Sequence, residues 1–461
     1  MSPPPDGLVV VVKTDCPTCT LVRPMLEAMA VRLVSEDDPE GLDASYRLGI
    51  ETVPTLLRFA GGAELDRVVG WDRAEWRRVT TVDDLGADLP EYRPGCGSRT
   101  LDPDVADGLA ERFRGGTLHS RRVELADLED EAEAMFDRGW TDGLPVVAPT
   151  AARVLRMLEG TTRRPDEVVA VVPPDLADCT VEKVAVNAVL AGCKPEYLPV
   201  VLAGVEALCT EEFNGHGLLA TTYFSGPVVV VNGPIRAAIG MNSGINALGQ
   251  GNRANATIGR AIQLVVRNVG GGRPGEVDRA TLGNPGKYTF CFAEHEEGSP
   301  WEPLAESRGA APGASAVTLF AGAGVQPVVD QLSRTPESLA STFASCLRTV
   351  AHPKLPLAFD ALVVVSPEHI RVFREAGWSR RHLLDELGAR LQLQGSDIVR
   401  GAGGIAEGVP ESLAGAKLPK FRDGGLLLCH AGGRAGLFSA IIAGWASGST
   451  GSTPVTREVL T

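Results

Sequence analysis

Cys16 and Cys19, in Cys16-Pro17-Thr18-Cys19, stand directly after a short apolar run, Leu8 to Val12. Two thiols at this spacing, where a strand gives way to a helix, are suited to thiol–disulfide exchange. The helix N-terminus favours the first thiolate, and the second thiol, one turn on, resolves the mixed disulfide. Zinc uses the same spacing, but it normally takes a second cysteine pair or nearby histidines, and residues 1–95 contain no histidine. A third cysteine lies between two glycines in Pro94-Gly95-Cys96-Gly97-Ser98-Arg99. Glycines let backbone amides approach a reactant, and an arginine folded back on the thiol would lower its pKa. The alternative is an incidental loop cysteine.

Further on, polar and glycine-flanked stretches form a second set of candidates. His216 lies in Asn214-Gly215-His216-Gly217, one of seven histidines in the chain. Gly240 to Arg253 carries Asn242, Ser243, Asn252 and Arg253 ahead of a helical pattern. Amides at a helix start with an arginine can hold a carboxylate or phosphate; capping asparagines in a turn explain the same residues equally well. The spacing fits neither a phosphate-binding loop nor a dinucleotide fingerprint, so no cofactor is inferred. Glu294-His295-Glu296-Glu297 can supply acid–base carboxylates or metal ligands. Neighbours on an extended chain face opposite ways, so at most two share a site; a polar loop is favoured and no metal is assigned.

The elements that must position these residues read as α/β. Leu8–Val12, Leu56–Phe59 and Ala63–Val69 are strand-like, with a turn at Gly61-Gly62 and a helical pattern over Leu21–Ala30. Beyond residue 120, apolar runs at Val168–Val172, Val228–Val231, Leu362–Val365 and Leu426–Leu428 alternate with helical patterns at Val181–Leu190, Leu198–Leu208 and Ala256–Val269. This alternation predicts an α/β fold whose strand order cannot be read. The expected domains are 1–85, a turn-rich linker 86–120 that carries Cys96, and a large domain 121–461. The 461 residues hold 44 Lys+Arg against 58 Asp+Glu, a net charge of −14. There is no basic excess to neutralise phosphates or an anionic membrane, so neither nucleic acid nor membrane is expected as a partner. With no signal-like or spanning segment and nine scattered cysteines, the chain reads as cytoplasmic with free thiols.

Residues 1–80 resemble the thioredoxin family. The resemblance rests on Cys16-Pro17-Thr18-Cys19, Pro24, Gly49-Ile50, Val53-Pro54-Thr55, Gly61-Gly62 and Gly70. It implies that Cys16 attacks, that Cys19 resolves, and that Pro54 forms a cis-proline loop facing the dithiol. The family's buried aspartate, six residues before the first cysteine, is replaced by Val10. Residues 91–461 are similar to an uncharacterised bacterial family of predicted selenoproteins named for a Sec-Gly-Ser-Cys (UGSC) motif. The matching stretches are Gly95-Cys96-Gly97-Ser98, Thr141-Asp142-Gly143-Leu144-Pro145, Thr180 to Asn187, Gly249 to Gly259 and Ser366-Pro367-Glu368-His369. The resemblance implies that Cys96 stands where selenocysteine can stand; Arg99 replaces the motif's second thiol.

Together these readings predict a redox enzyme. The dithiol module reduces Cys96, which serves a small-molecule site in the large domain, and a thioredoxin-reductase-like protein or a low-molecular-weight thiol supplies the electrons. A flexible linker of about 20 residues would hold the two thiol sites about 25 Å apart, at roughly millimolar effective concentration. One rival is a non-redox lyase or transferase with Cys96 as covalent nucleophile and His216 or Glu294 as base. A non-catalytic binding protein is the other.

Overall fold

The computed structural model describes residues 6–126, 129–446 and 451–460. The chain divides into two compact units, Met1–Leu118 and His119–Thr461.

The first unit is built on β1 (Gly7–Val12), α1 (Pro17–Glu27), β2 (Arg32–Ser35), α2 (Pro39–Arg47), β3 (Thr52–Val53), β4 (Thr55–Ala60), β5 (Ala63–Val69), β6 (Trp71–Asp72) and α3 (Arg73–Thr80). Its main sheet has the order β2-β1-β4-β5. β1 and β2 run parallel, as a strand–helix–strand crossover requires, and the other pairs are antiparallel. Val9 to Val12 are all buried, which explains the unbroken apolar run: a central strand covered on both faces has no polar side. α1 and α3 contribute Val22, Leu26, Trp76 and Val79 to the same core.

The expected linker is folded into this unit. β7 (Tyr92–Arg93) pairs with β6, and β8 (Cys96–Gly97) pairs with β3. The Trp71 indole donates to the Pro90 carbonyl at 2.7 Å. α4 (Pro103–Arg114) stacks Phe113 on Tyr46 of α2, with ring centroids 5.5 Å apart. Turn-forming residues made this stretch look like a tether, but they serve instead to change direction between short paired segments.

The second unit has a hairpin, β9 (Val168–Val172) with β10 (Ala177–Thr180), and a seven-stranded mixed sheet. The sheet comprises β11 (Gly226–Asn232), β12 (Cys291–Ala293), β13 (Ala316–Val329) and β14 (Phe359–Val365), then, after a separate antiparallel pair of β15 (Gln392–Gln394) and β16 (Lys417–Pro419), β17 (Leu426–His430), β18 (Phe438–Ala446) and β19 (Val455–Glu458). Its order is β12-β11-β13-β18-β14-β17, with β19 on β13. Alternation along β14 shows how both faces are filled. Ala361, Val363 and Val365 enter a core with Phe343, Phe373 and Leu387, while Leu362 and Val364 enter another with Phe292, Phe320 and Ile442. The two ends of the strand path meet where the strands stop: the His295 amide donates to the His430 carbonyl at 2.7 Å.

Polar pairs join distant stretches of the second unit. Arg260 forks onto Asp142 through two bonds of 2.8 Å. Asn268 donates to Asn187 at 2.9 Å and to the Trp140 carbonyl at 3.1 Å. These residues brace the Trp140–Pro145 loop against the helices Val181–Ala191 and Arg253–Asn268.

Candidate functional site

Three thiols meet at one corner of the first unit. Cys16 is the N-cap of α1, and Pro17 at the first helical position presets the turn. The Cys19 amide donates to Cys16 Sγ at 3.3 Å, and in its thiol form Cys16 donates to the Val53 carbonyl at 3.4 Å. The Val53–Pro54 bond is cis, and the Pro54 carbonyl accepts from the Gly70 amide at 2.8 Å.

Cys96 lies opposite Val53 in the β3–β8 pair, with Gly97 opposite Thr52. Main-chain pairing thus fixes Cys96 beside the dithiol, where it helps to lower the pKa of Cys16. Further ties hold the strand. Thr18 Oγ1 donates to the Pro94 carbonyl at 2.7 Å, and the Ser98 amide to the Glu51 carbonyl at 2.9 Å. Gly95 is required by proximity: a Cβ there would lie 2.6 Å from the Val53 carbonyl oxygen and 2.4 Å from Thr52 Cγ2.

The three thiols differ in proton affinity. Burial opposes ionisation of Cys16, but hydrogen bonds from Cys96, from Cys19 and from the Cys19 and Thr18 amides outweigh it and hold its pKa below that of an ordinary thiol. Cys19 is pushed far up, mainly by burial and then by its hydrogen bond with Cys16 and the Cys16 charge. Cys96 is raised, first by its hydrogen bond to Cys16 and then by burial. Of the three thiols, Cys16 is therefore the one most readily ionised.

Arg99 does not activate Cys96. Its guanidinium pairs with Asp37 at 3.1 Å, and its amide donates to Glu36 Oε2 at 2.8 Å. Glu36, 1% exposed, also accepts from Ser98 Oγ at 2.5 Å and from Ser45 Oγ. A carboxylate at the end of β2 thus anchors the loop that carries Cys96. Nothing in the local sequence around Glu36 announces this, because its partners are 62 and 63 residues away.

The candidates in the second unit fare differently. His216 is exposed on the short helix Gly215–Ala220, whereas Glu294 is fully buried. Among the described residues no hydrogen bond or ion pair joins these two alternative bases. Glu294 accepts from the Asn232 side chain and the Leu304 amide, both at 2.7 Å, and from the His430 amide at 3.3 Å; burial raises its pKa against the pull of Arg380. Asn242, Asn252 and Arg253 are committed to local structure. Asn252 caps the helix Arg253–Asn268 and donates to the Gly240 carbonyl at 2.8 Å. Asn242 accepts from the Gly244 amide at 2.9 Å and donates to the Ile245 carbonyl at 2.9 Å. Arg253 donates to the Gly192 carbonyl at 2.9 Å.

Ser243 alone of that group meets another candidate segment. Its hydroxyl lies 3.3 Å from His295 Nδ1, and its carbonyl accepts from the Gly432 amide at 2.9 Å. The His295 and His430 rings lie 5.3 Å apart, where β12 and β17 end.

No family model matches the chain, and no curated protein is detectably similar to it in sequence. Among the described residues no helix is long and apolar enough to cross a membrane.

Proposed function

We propose that the first unit is a thioredoxin-like thiol–disulfide oxidoreductase and that Cys96 is its built-in redox partner. The observation that supports this reading is the pairing of Cys96 with Val53, which holds its thiol against the low-pKa thiol of Cys16. In this cycle a peroxide or a disulfide substrate oxidises Cys96 to a sulfenic acid or a mixed disulfide. The Cys16 thiolate attacks Cys96 sulfur; the Cys16–Cys96 disulfide forms as water or the substrate thiolate leaves. Cys19 gives up its proton and attacks Cys16, which releases the Cys96 thiolate and leaves a Cys16–Cys19 disulfide. A low-molecular-weight dithiol or a reductase then returns two electrons and two protons.

The second unit is proposed to act on a small molecule whose turnover draws on these electrons, in a cytoplasmic protein with no nucleic-acid partner. The full chain is expected to catalyse reduction of a small disulfide by dithiothreitol, and Cys16→Ser to bring the rate down to that of free dithiothreitol. A full chain no faster than free dithiothreitol would end the oxidoreductase reading.

A further inference from the structure

Cys16 and Cys19 are completely buried, and of the three thiols only Cys96 meets solvent. Residues 94–98 run past the dithiol and are tied down on both sides. On one side Thr18, in the first turn of α1, donates to the Pro94 carbonyl at 2.7 Å. On the other, Cys96 faces Val53 across the β3–β8 pair, and the Ser98 amide donates to the Glu51 carbonyl at 2.9 Å. Among the described residues β8 is the one strand paired with β3.

The segment is packed without slack. A Cβ on Gly95 would lie 2.6 Å from the Val53 carbonyl oxygen, and one on Gly70 would lie 3.0 Å from the Gly95 amide nitrogen. A methyl group at either point would crowd its neighbour, and a second main chain has no room there.

That packing bears on which disulfides the thiols can meet. A thiolate attacks a disulfide by bonding to one of its sulfurs. The mixed disulfide then holds the two Cα atoms about 4.4–6.8 Å apart, so a protein partner must bring its main chain that close to Cys16. Paired strands lie about 4.7–4.9 Å apart. An extended partner chain added along β3 would therefore need the place that β8 fills, and the Glu51 carbonyl that the Ser98 amide already occupies. A small disulfide or a peroxide brings no such chain. It has only to reach the sulfur of Cys96, which is half-buried.

We propose that β8 sets the substrate class of the three-thiol site: it admits low-molecular-weight disulfides and peroxides and shuts out the disulfides of proteins. This rests on the oxidoreductase reading above and adds selectivity to it. A protein disulfide meets Cys16 only when residues 94–98 lift away from β3. Glu36 governs how often they do, because it holds the Ser98 hydroxyl and the Arg99 amide directly after the segment's paired residues. The strand that presents Cys96 to the dithiol is thus also the barrier in front of it.

The test supplies the full chain with dithiothreitol and one of two acceptors, hydroxyethyl disulfide or insulin. Each disulfide takes two electrons and two protons from the dithiol and leaves as two thiols, so rates per disulfide compare directly. The unaltered chain is expected to speed reduction of hydroxyethyl disulfide well above the rate with free dithiothreitol, and to leave insulin at that background rate. Glu36→Ala, by loosening the segment, is expected to raise the insulin rate relative to the hydroxyethyl disulfide rate by about tenfold or more. Thr18→Val keeps the side chain's shape and removes only its bond to Pro94; it is expected to move the ratio the same way by a smaller factor, and it carries the test should Glu36→Ala not fold. Insulin reduced by the unaltered chain as readily as hydroxyethyl disulfide, or a ratio unmoved in the folded variants, would overturn the proposal and leave the oxidoreductase reading standing. Reduction of neither acceptor would overturn both.

Discussion

Glu36→Ala removes the anchor of the Cys96 loop without touching a thiol. The carboxylate holds three donors, Ser45 Oγ, Ser98 Oγ and the Arg99 amide. Hydrogen bonds to a charged group contribute about 1.5–3 kcal/mol each, and orphaned buried donors cost about 1–3 kcal/mol each. Against this, the variant no longer buries a charge, which recovers several kcal/mol. The balance is a net loss of about 3 kcal/mol, placed on residues 96–100. At 1.4 kcal/mol per factor of ten, the loop's opening equilibrium shifts about 10²-fold. Hydrogen exchange read by mass spectrometry is the assay. The peptide spanning residues 96–101 is expected to exchange about 10²-fold faster in the variant, while peptides in β1 and β4 change far less. Disulfide trapping between Cys16 and Cys96 is expected to fall in step, with Cys16–Cys19 oxidation retained. Unchanged protection of that peptide would refute the claim that Glu36 anchors the loop, and unchanged trapping would refute the claim that the anchor positions Cys96.

Gly95→Ala forces a Cβ to within 2.6 Å of the Val53 carbonyl oxygen; a loss of about 1–3 kcal/mol is expected by denaturant unfolding, together with weaker Cys16–Cys96 trapping. Alkylation against pH, mapped by peptide, is expected to give Cys16 a midpoint below that of an ordinary thiol and Cys96 a midpoint above it; the reverse order would restore Cys96 as the activated thiol. In the second unit, Asp330 is held at about 2: burial opposes ionisation, and Thr342 with the Ser333 amide and hydroxyl outweighs it. A depressed carboxyl pKa stabilises the fold above the unfolded value near 4. Roughly 2 kcal/mol is therefore expected to disappear as the pH falls from about 4 to 2, and Asp330→Asn should flatten that part of the unfolding profile.

Much of the first unit was legible because its signals are local. An unbroken valine run, a CxxC at a helix start, a glycine turn and the segment Ala63–Val69 each declare themselves within a few residues, and β5 has those bounds. In the second unit the helix Leu198–Leu208 was read to the residue, because its apolar face is continuous. The strand Phe438–Ala446 and the 14-residue β13 were missed, since glycines interrupt their apolar patterns. Residues 86–120 misled for a related reason: proline and glycine mark changes of direction, whether the chain is free or packed. The sites were harder still. His295 and His430 are 135 residues apart in the chain, and only the meeting of β12 and β17 makes them neighbours. Asn242, Asn252 and Arg253 looked like ligands because capping and ligand binding draw on the same polar residue types.

Trapping of the Cys16–Cys96 disulfide tests most directly whether the first unit works as one three-thiol site. In Cys19→Ser the resolving thiol is gone, so a disulfide formed at Cys16 persists. After mild oxidation with peroxide, a non-reducing peptide map of the monomer is expected to show the Cys16 peptide joined to the Cys96 peptide. The link should form at a rate independent of protein concentration, because β3 and β8 already hold the two residues opposite each other. Cys16 joined only to other chains, or to Cys179, Cys193 or Cys291, with Cys96 left free, would contradict the account.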